Sequence, residues 1–220
     1  QRFPLPYESS MVDDFIKKGI SSQEGGAVYN FTGPQGFGIA NVADSLAVIR
    51  ELVFEKKKVS MAEMKQALMD NFGRGISAEE AQKVTKEVVK NLISHGAHGT
   101  EEQIAQIFVT ALNGTVTEEQ KKRYDEILEM IDDVPKYGND ILEVDLFARD
   151  VAYTYTKPLE KYKNPRGGIF QAGLYPVSAN VPLGKQTGAT PDGRLAYTPV
   201  ADGVGPMAGR DTHGPTATAN

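Results

Sequence analysis

His95 and His98 stand three residues apart with Glu101 close behind, a spacing that on a helix would gather ligands around one metal ion. Gly96 and Gly99 interrupt the trio, so the segment reads better as a polar turn between helices. His213 lies alone in Gly209-Arg210-Asp211-Thr212-His213-Gly214, where an imidazole is better used on backbone hydrogen bonds than as a base. Gly33-Pro34-Gln35-Gly36-Phe37-Gly38 has the glycine density of a phosphate loop, but no Gly-Lys-Ser/Thr follows, and the dinucleotide spacing is missed. Arg166 and Arg194 could each clamp a carboxylate bidentately, although a structural ion pair is the simpler role. Carboxylates are numerous but fall mostly on helix faces beside lysines, as Glu87 does beside Lys83, and no pair stands isolated where acid–base tuning would be expected. There is no cysteine, which removes disulfides, thiolate catalysis and zinc–thiolate sites from these residues. Residue chemistry alone therefore assigns no metal, no nucleotide and no reaction.

Composition narrows the class. The 220 residues are 40% apolar and 24% charged, ordinary for a globular protein and enough to bury a core. The net charge of -5 offers no basic face for nucleic acid. The only basic run, Lys56-Lys57-Lys58, follows Glu55 at an expected helix end, where cations complement the dipole. No apolar run reaches the length of a membrane span. Gln1-Arg2-Phe3-Pro4-Leu5-Pro6 has no signal layout, and Gly214 to Asn220 closes without a helix end. The expectation is an internal piece of a longer, cytoplasmic polypeptide.

Three parts must position whatever chemistry there is. The first 45 residues form a loop-rich opening with one helix expected over Ser9 to Lys18, its Met11, Phe15 and Ile16 inward and Gly19 ending it. From Asn41 to Tyr162 the chain reads as helical, beginning with a buried stripe of Val42, Leu46, Ile49 and Val53. Capping boxes mark four later starts, Ser60…Glu63, Ser77…Glu80, Thr100…Gln103 and Thr117…Gln120. Pro135 breaks the series. A last helix from Asn139 has Val144, Phe147, Val151 and Tyr155 on one face and Pro158 near its end. From Asn164 onward come seven of the twelve prolines and ten of the twenty-two glycines, so loops dominate. One strand is expected there, Leu174 to Val181, followed by an ordered chain wrapping over neighbouring structure.

Three blocks carry a resemblance. Gly25-Gly26-Ala27-Val28-Tyr29-Asn30-Phe31-Thr32-Gly33-Pro34-Gln35-Gly36 resembles the segment that follows the catalytic-cysteine region of glycyl radical enzymes. Asn164-Pro165-Arg166-Gly167-Gly168, with Gly173-Leu174-Tyr175-Pro176-Val177-Ser178-Ala179-Asn180-Val181, resembles the B12-independent glycerol/propanediol dehydratase branch. Gly188 to Arg194 and Gly209 to Ala217 are similar to stretches shared across the superfamily, pyruvate formate-lyase included. The likeness runs end to end and is weakest over residues 73–134, which read as a helical insertion or outer layer.

The resemblance implies an α/β fold, part of a ten-stranded α/β barrel. It implies a lyase that eliminates water from a small diol, with a formate C-acetyltransferase or another carbon–heteroatom lyase as the alternatives. A stand-alone, non-catalytic structural protein is the alternative from a different class. The implied cofactor is a glycyl radical installed by a separate S-adenosylmethionine-dependent activating enzyme, and the implied partners are the rest of the polypeptide and a second copy of the parent. Family order puts the reactive cysteine before Gln1 and the radical glycine beyond Asn220, so no catalytic residue is expected in this chain. Tyr175, with Val177 and Ser178, is expected on the substrate-pocket wall, and Asn180, Asp192, Arg194, Arg210 and Asp211 in structural loops. Alternation puts Tyr175 and Val177 on one strand face and Leu174, Pro176 and Ser178 on the other, and leaves open which face looks inward.

Overall fold

The structure is a computed structural model that describes residues 5–75, 100 and 116–220. In chain order the described helices are α1 (Pro6–Ser10), α2 (Phe15–Lys18), α3 (Ile39–Val48), α4 (Met61–Met69), α5 (Glu118–Asp132), α6 (Leu142–Leu159), α7 (Asn180–Gly184) and α8 (Pro215–Ala219). The chain divides into two compact units. The first comprises Gln1–Ala43, Tyr137–Asn180 and Ala201–Asn220, and the second Asp44–Lys136 and Val181–Val200. His95, His98 and Glu101 lie outside the described residues, as do the capping partners Ser77, Glu80 and Gln103.

In the first unit, the helix expected over Ser9 to Lys18 is two short ones. Asp14 adopts a left-handed backbone (φ 76°) that separates α1 from α2. Met11 and Ile16 are exposed, and Phe15 alone is buried. Its ring occupies the space a side chain on Gly26 would take, with Phe15 Cδ1 2.4 Å from that Cβ position. Gly19 does end α2, in a left-handed conformation with its N–H donating to the Phe15 carbonyl at 2.8 Å.

The unit's core is Ile39 and Ala43 of α3 against Ala148 of α6, flanked by Tyr137, Phe147, Val151, Ala152 and Leu174. On α6 the expected inward face is present, with Val144 and Ala148 buried and Phe147, Val151 and Tyr155 half-buried. Pro158 sits in the last turn, and the helix stops one residue later. Asn41 Oδ1 accepts from the Ala201 N–H at 2.7 Å, and the Gly38 N–H donates to the Ala201 carbonyl at 2.9 Å, which ties the start of α3 to the loop after residue 200.

The α3 stripe expected from Val42, Leu46, Ile49 and Val53 is displaced. Val42 and Leu46 are 47% and 40% exposed, and the buried positions are Ile39, Ala40, Asn41, Ala43, Asp44, Ala47, Val48 and Leu52. Two causes act together. Alanines allow a closer approach than larger side chains would, so the small-residue face turns inward. From Ile49 to Glu55 the helix is π-wound, and a 3.6-residue projection fails beyond Val48.

The expected strand from Leu174 to Val181 is not formed. Two extended segments instead run parallel through the bridges Thr32↔Phe170 and Gln35↔Gly173. The Thr32 N–H donates to the Ile169 carbonyl at 3.1 Å, Gln171 to Thr32 at 2.9 Å, Gly173 to Pro34 at 2.8 Å and Gly36 to Gly173 at 3.0 Å. Beyond Gly173 the partner chain turns away into α3, Pro176 has no N–H to give, and the backbone turns at Ser178 and Ala179 into α7. The pairing stays at these two separate bridges and does not extend into the continuous ladder a strand needs. Among the described residues there is no longer strand, so the ten-stranded barrel is not seen within this chain.

In the second unit, α4 and α5 both pack on the turn at Asn71–Gly73. Both begin with the expected capping boxes: Ser60 Oγ accepts from the Glu63 N–H at 3.1 Å, and Thr117 Oγ1 from the Gln120 N–H at 3.2 Å. Phe72 is buried in a left-handed conformation (φ 52°), and the Tyr124 hydroxyl donates to Asp70 Oδ2 at 2.6 Å. Arg123 Nε donates to Glu63 Oε1 at 2.8 Å and its Nη2 to the Lys58 carbonyl at 3.0 Å. Lys56 follows the helix end as expected and pairs with Glu51.

Candidate functional site

The parallel pair of segments has two unlike faces, and this follows from side-chain alternation along extended backbone. Thr32, Pro34, Phe170, Ala172 and Leu174 are half-buried and turn toward the unit, Leu174 reaching its core. Phe31, Gly33, Ile169, Gln171 and Tyr175 are exposed on the other side. Gly173 belongs to this outer face but is buried, because the Tyr175 ring lies over it.

Asn164 fixes the pair at one end. It is buried, and its Nδ2 donates to the Asn30 carbonyl at 2.5 Å and to Thr32 Oγ1 at 3.1 Å. Its Oδ1 accepts from the N–H groups of Arg166 and Gly168 at 2.9 and 3.0 Å. Arg166 Nη2 donates to the Phe31 carbonyl at 3.0 Å and to Thr32 Oγ1 at 3.2 Å, so its fork serves backbone and a hydroxyl where a carboxylate clamp was a candidate. A Cβ on Gly168 would stand 1.8 Å from the Asn30 carbonyl oxygen, so only glycine permits this approach. Asn164-Pro165-Arg166-Gly167-Gly168 thus clamps Asn30-Phe31-Thr32, a pairing the spacing of the two blocks did not signal.

At the other end, Gln35 Nε2 donates to the Tyr175 carbonyl at 2.9 Å, and the Val204 N–H to the Leu174 carbonyl at 3.0 Å. Tyr175 is 55% exposed, and Val177 and Ser178 are also exposed. Alternation therefore ends at Tyr175, and Pro176 and Ser178 do not turn inward with Leu174. Asn180 opens α7. The face offers the Tyr175 phenol and the Gln171 amide beside apolar surface and bare glycine backbone, with the exposed Ser178 hydroxyl just beyond its end. It can hold and orient a small polar molecule, and it carries no nucleophile–base pair.

Arg210 and Asp211 lie in a loop folded onto buried Asn139. Asn139 Nδ2 donates to the Arg210 carbonyl at 2.8 Å, and Asn139 Oδ1 accepts from the N–H groups of Thr212 and His213 at 2.8 and 3.0 Å. His213 Nδ1 stands 2.9 Å from the Asn139 carbonyl, so this imidazole is spent on backbone. A cleft of about 530 Å³ borders the loop after Tyr137 and the α6 residues Asp145, Ala148, Arg149 and Ala152. Burial pushes the Asp145 carboxyl above the usual range; a Gly138 N–H opposes this, and the Asp140 charge adds to it.

In the second unit, Asp192 and Arg194 are buried in one turn. Gly193 supplies its left-handed residue (φ 87°), with its N–H donating to the Thr190 carbonyl at 3.0 Å. Arg194 donates to the carbonyls of Thr198 at 2.8 Å, Leu195 at 3.1 Å and Gly188, and to Thr190 Oγ1 at 3.2 Å. Burial draws the guanidinium below the usual arginine range, while the Asp192 charge opposes that shift. Among the described residues no cluster of three His, Asp or Glu side chains is placed to hold a metal.

Comparison with known proteins places this geometry. A family described as pyruvate formate lyase-like matches residues 1–184. A solved structure from Roseburia inulinivorans, described for 1,2-propanediol dehydration, is 60% identical, with a TM-score of 0.80 over 99% of this chain and 26% of its own. The glycerol-bound B12-independent glycerol dehydratase of Clostridium butyricum is 41% identical, with a TM-score of 0.68 over 100% of this chain and 22% of its own. A probable dehydratase of Escherichia coli, YbiW, is 34% identical over 95% of this chain. The chain spans 21% of the length of that curated relative.

Proposed function

We propose, on the premise that this chain belongs to the pyruvate formate lyase-like family of glycyl radical enzymes, that its parent polypeptide is a lyase eliminating water from a small diol such as glycerol or 1,2-propanediol. The observation that carries the reading is the 60% identity and TM-score of 0.80 to a structure described for 1,2-propanediol dehydration, over nearly the whole chain. The parallel segments from Asn30 to Gly36 and Gly168 to Tyr175 are two neighbouring staves of the parent's ten-stranded barrel, which other parts of the polypeptide complete. Their outer face is the wall of the substrate cavity.

The glycyl radical, with its partner cysteine, supplies hydrogen abstraction from carbon, and both groups lie outside these cysteine-free residues. The chain's own part is to bind, orient and keep water out. The Tyr175 and Ser178 hydroxyls each donate and accept, as a diol hydroxyl requires, and Val177 gives apolar contact. The chain by itself is inactive. An S-adenosylmethionine-dependent activating enzyme installs the radical in the parent, which acts as a homodimer in the cytoplasm.

The test supplies the anaerobically activated parent with glycerol, 1,2-propanediol, and pyruvate plus coenzyme A. Aldehyde from a diol is the expected product. Acetyl-coenzyme A from pyruvate, with no aldehyde, would assign the parent to formate C-acetyltransferase instead.

A further inference from the structure

We propose that Gly173 is a positioning residue for Tyr175: the side chain it lacks is the space in which the Tyr175 ring is seated. The inference rests on the reading of Tyr175 as a substrate-facing residue. A Cβ on Gly173 would stand 2.6 Å from Tyr175 Cε1, 3.3 Å from Cδ1 and 3.4 Å from Cζ, and these ring atoms are its three nearest neighbours. The backbone of Gly173 is not in the left-handed region, so its φ would accept alanine, and the demand for glycine comes from the ring.

Both ends of the seat are tethered. The Gly173 N–H donates to the Pro34 carbonyl at 2.8 Å, and its own carbonyl accepts from the Gly36 N–H at 3.0 Å. The Tyr175 carbonyl accepts from Gln35 Nε2 at 2.9 Å. Carbon atoms rest about 3.5–4.0 Å apart, so a methyl on residue 173 must push the ring outward by about 1 Å. With the Cε1 side of its ring held against Gly173, more than half of the Tyr175 surface stays open. That arrangement suits a single hydrogen bond to one hydroxyl of a vicinal diol.

The experiment uses the full-length parent enzyme. Crystal structures of wild type and Gly173→Ala are compared, and kcat and KM for 1,2-propanediol are measured for Gly173→Ala, Tyr175→Leu and the double variant. The expected results are a displaced ring, an unchanged Tm and a kcat/KM lowered about 10- to 100-fold, as a misplacement of 1 Å can cause. Adding Gly173→Ala to Tyr175→Leu then costs nothing further. An unmoved ring, or the same Gly173→Ala penalty with and without Tyr175, overturns the proposal. If Gly173→Ala fails to fold, recovery in the double variant supports the seat, and continued failure overturns it. A wild-type parent that turns over no diol, with the ring displaced in Gly173→Ala, would sink the dehydratase reading and leave the seat standing.

Discussion

Asn164 Nδ2 donates to the Asn30 carbonyl at 2.5 Å across 134 residues of sequence. This contact joins two blocks that the sequence presents as unrelated. It sets the register of the parallel pair on which Tyr175 stands, because the same amide also holds Thr32 and the N–H groups of Arg166 and Gly168.

Asn164→Asp keeps the shape and removes both amide donors. It should destabilise the protein by about 2–4 kcal/mol, since it also places a charge against the Asn30 carbonyl. Chemical denaturation at neutral pH measures the loss. A change within about 0.5 kcal/mol would mean that the clamp does not hold the pair.

Arg194→Lys tests the buried turn. Lysine has three donors on a point charge, and it cannot reach the carbonyls of Thr198, Leu195 and Gly188 that the guanidinium fork spans. A loss of about 3 kcal/mol or more is expected, with increased proteolysis between Gly188 and Thr198. Wild-type stability in Arg194→Lys would contradict the account.

Tyr124 carries a pH dependence with a definite sign. Burial first, and then its hydrogen bond to Asp70, push its phenol from 10.0 up to about 12. The folded state therefore holds this proton more tightly than the unfolded state. The resulting stability is fully present below pH 10, is lost as pH rises toward 12, and stays lost above that. An absorbance titration of phenolate should show Tyr124→Phe lacking one late-ionising tyrosine that wild type has, while the Tyr155 phenol, also pushed up by burial, stays in both. The same late-ionising amplitude in wild type and Tyr124→Phe would refute the assignment.

Local signals were legible. Ser60…Glu63 and Thr117…Gln120 both form their boxes, because a cap involves residues three apart and little else. Gly19 stops its helix, and α6 buries the face its apolar spacing marks. Long-range relations were not legible. Nothing in the sequence says that Asn139 holds Thr212 and His213, or that Asn164 holds Asn30, since hydrogen-bonding hubs leave no periodicity. The α3 stripe misled because alanine and aspartate faced inward where valine and leucine were expected. The Leu174 strand was misjudged by position: the paired residues end at Gly173, and Tyr175 is the last to follow the alternation.

The most direct test of the central claim is anaerobic activation of the full-length parent and of the 220-residue chain in parallel, with 1,2-propanediol as substrate and propanal as the readout. Propanal and water are expected from the parent, one of each per diol consumed, and none from the chain alone. Turnover by the 220-residue chain, or no aldehyde from an activated parent, would contradict that claim.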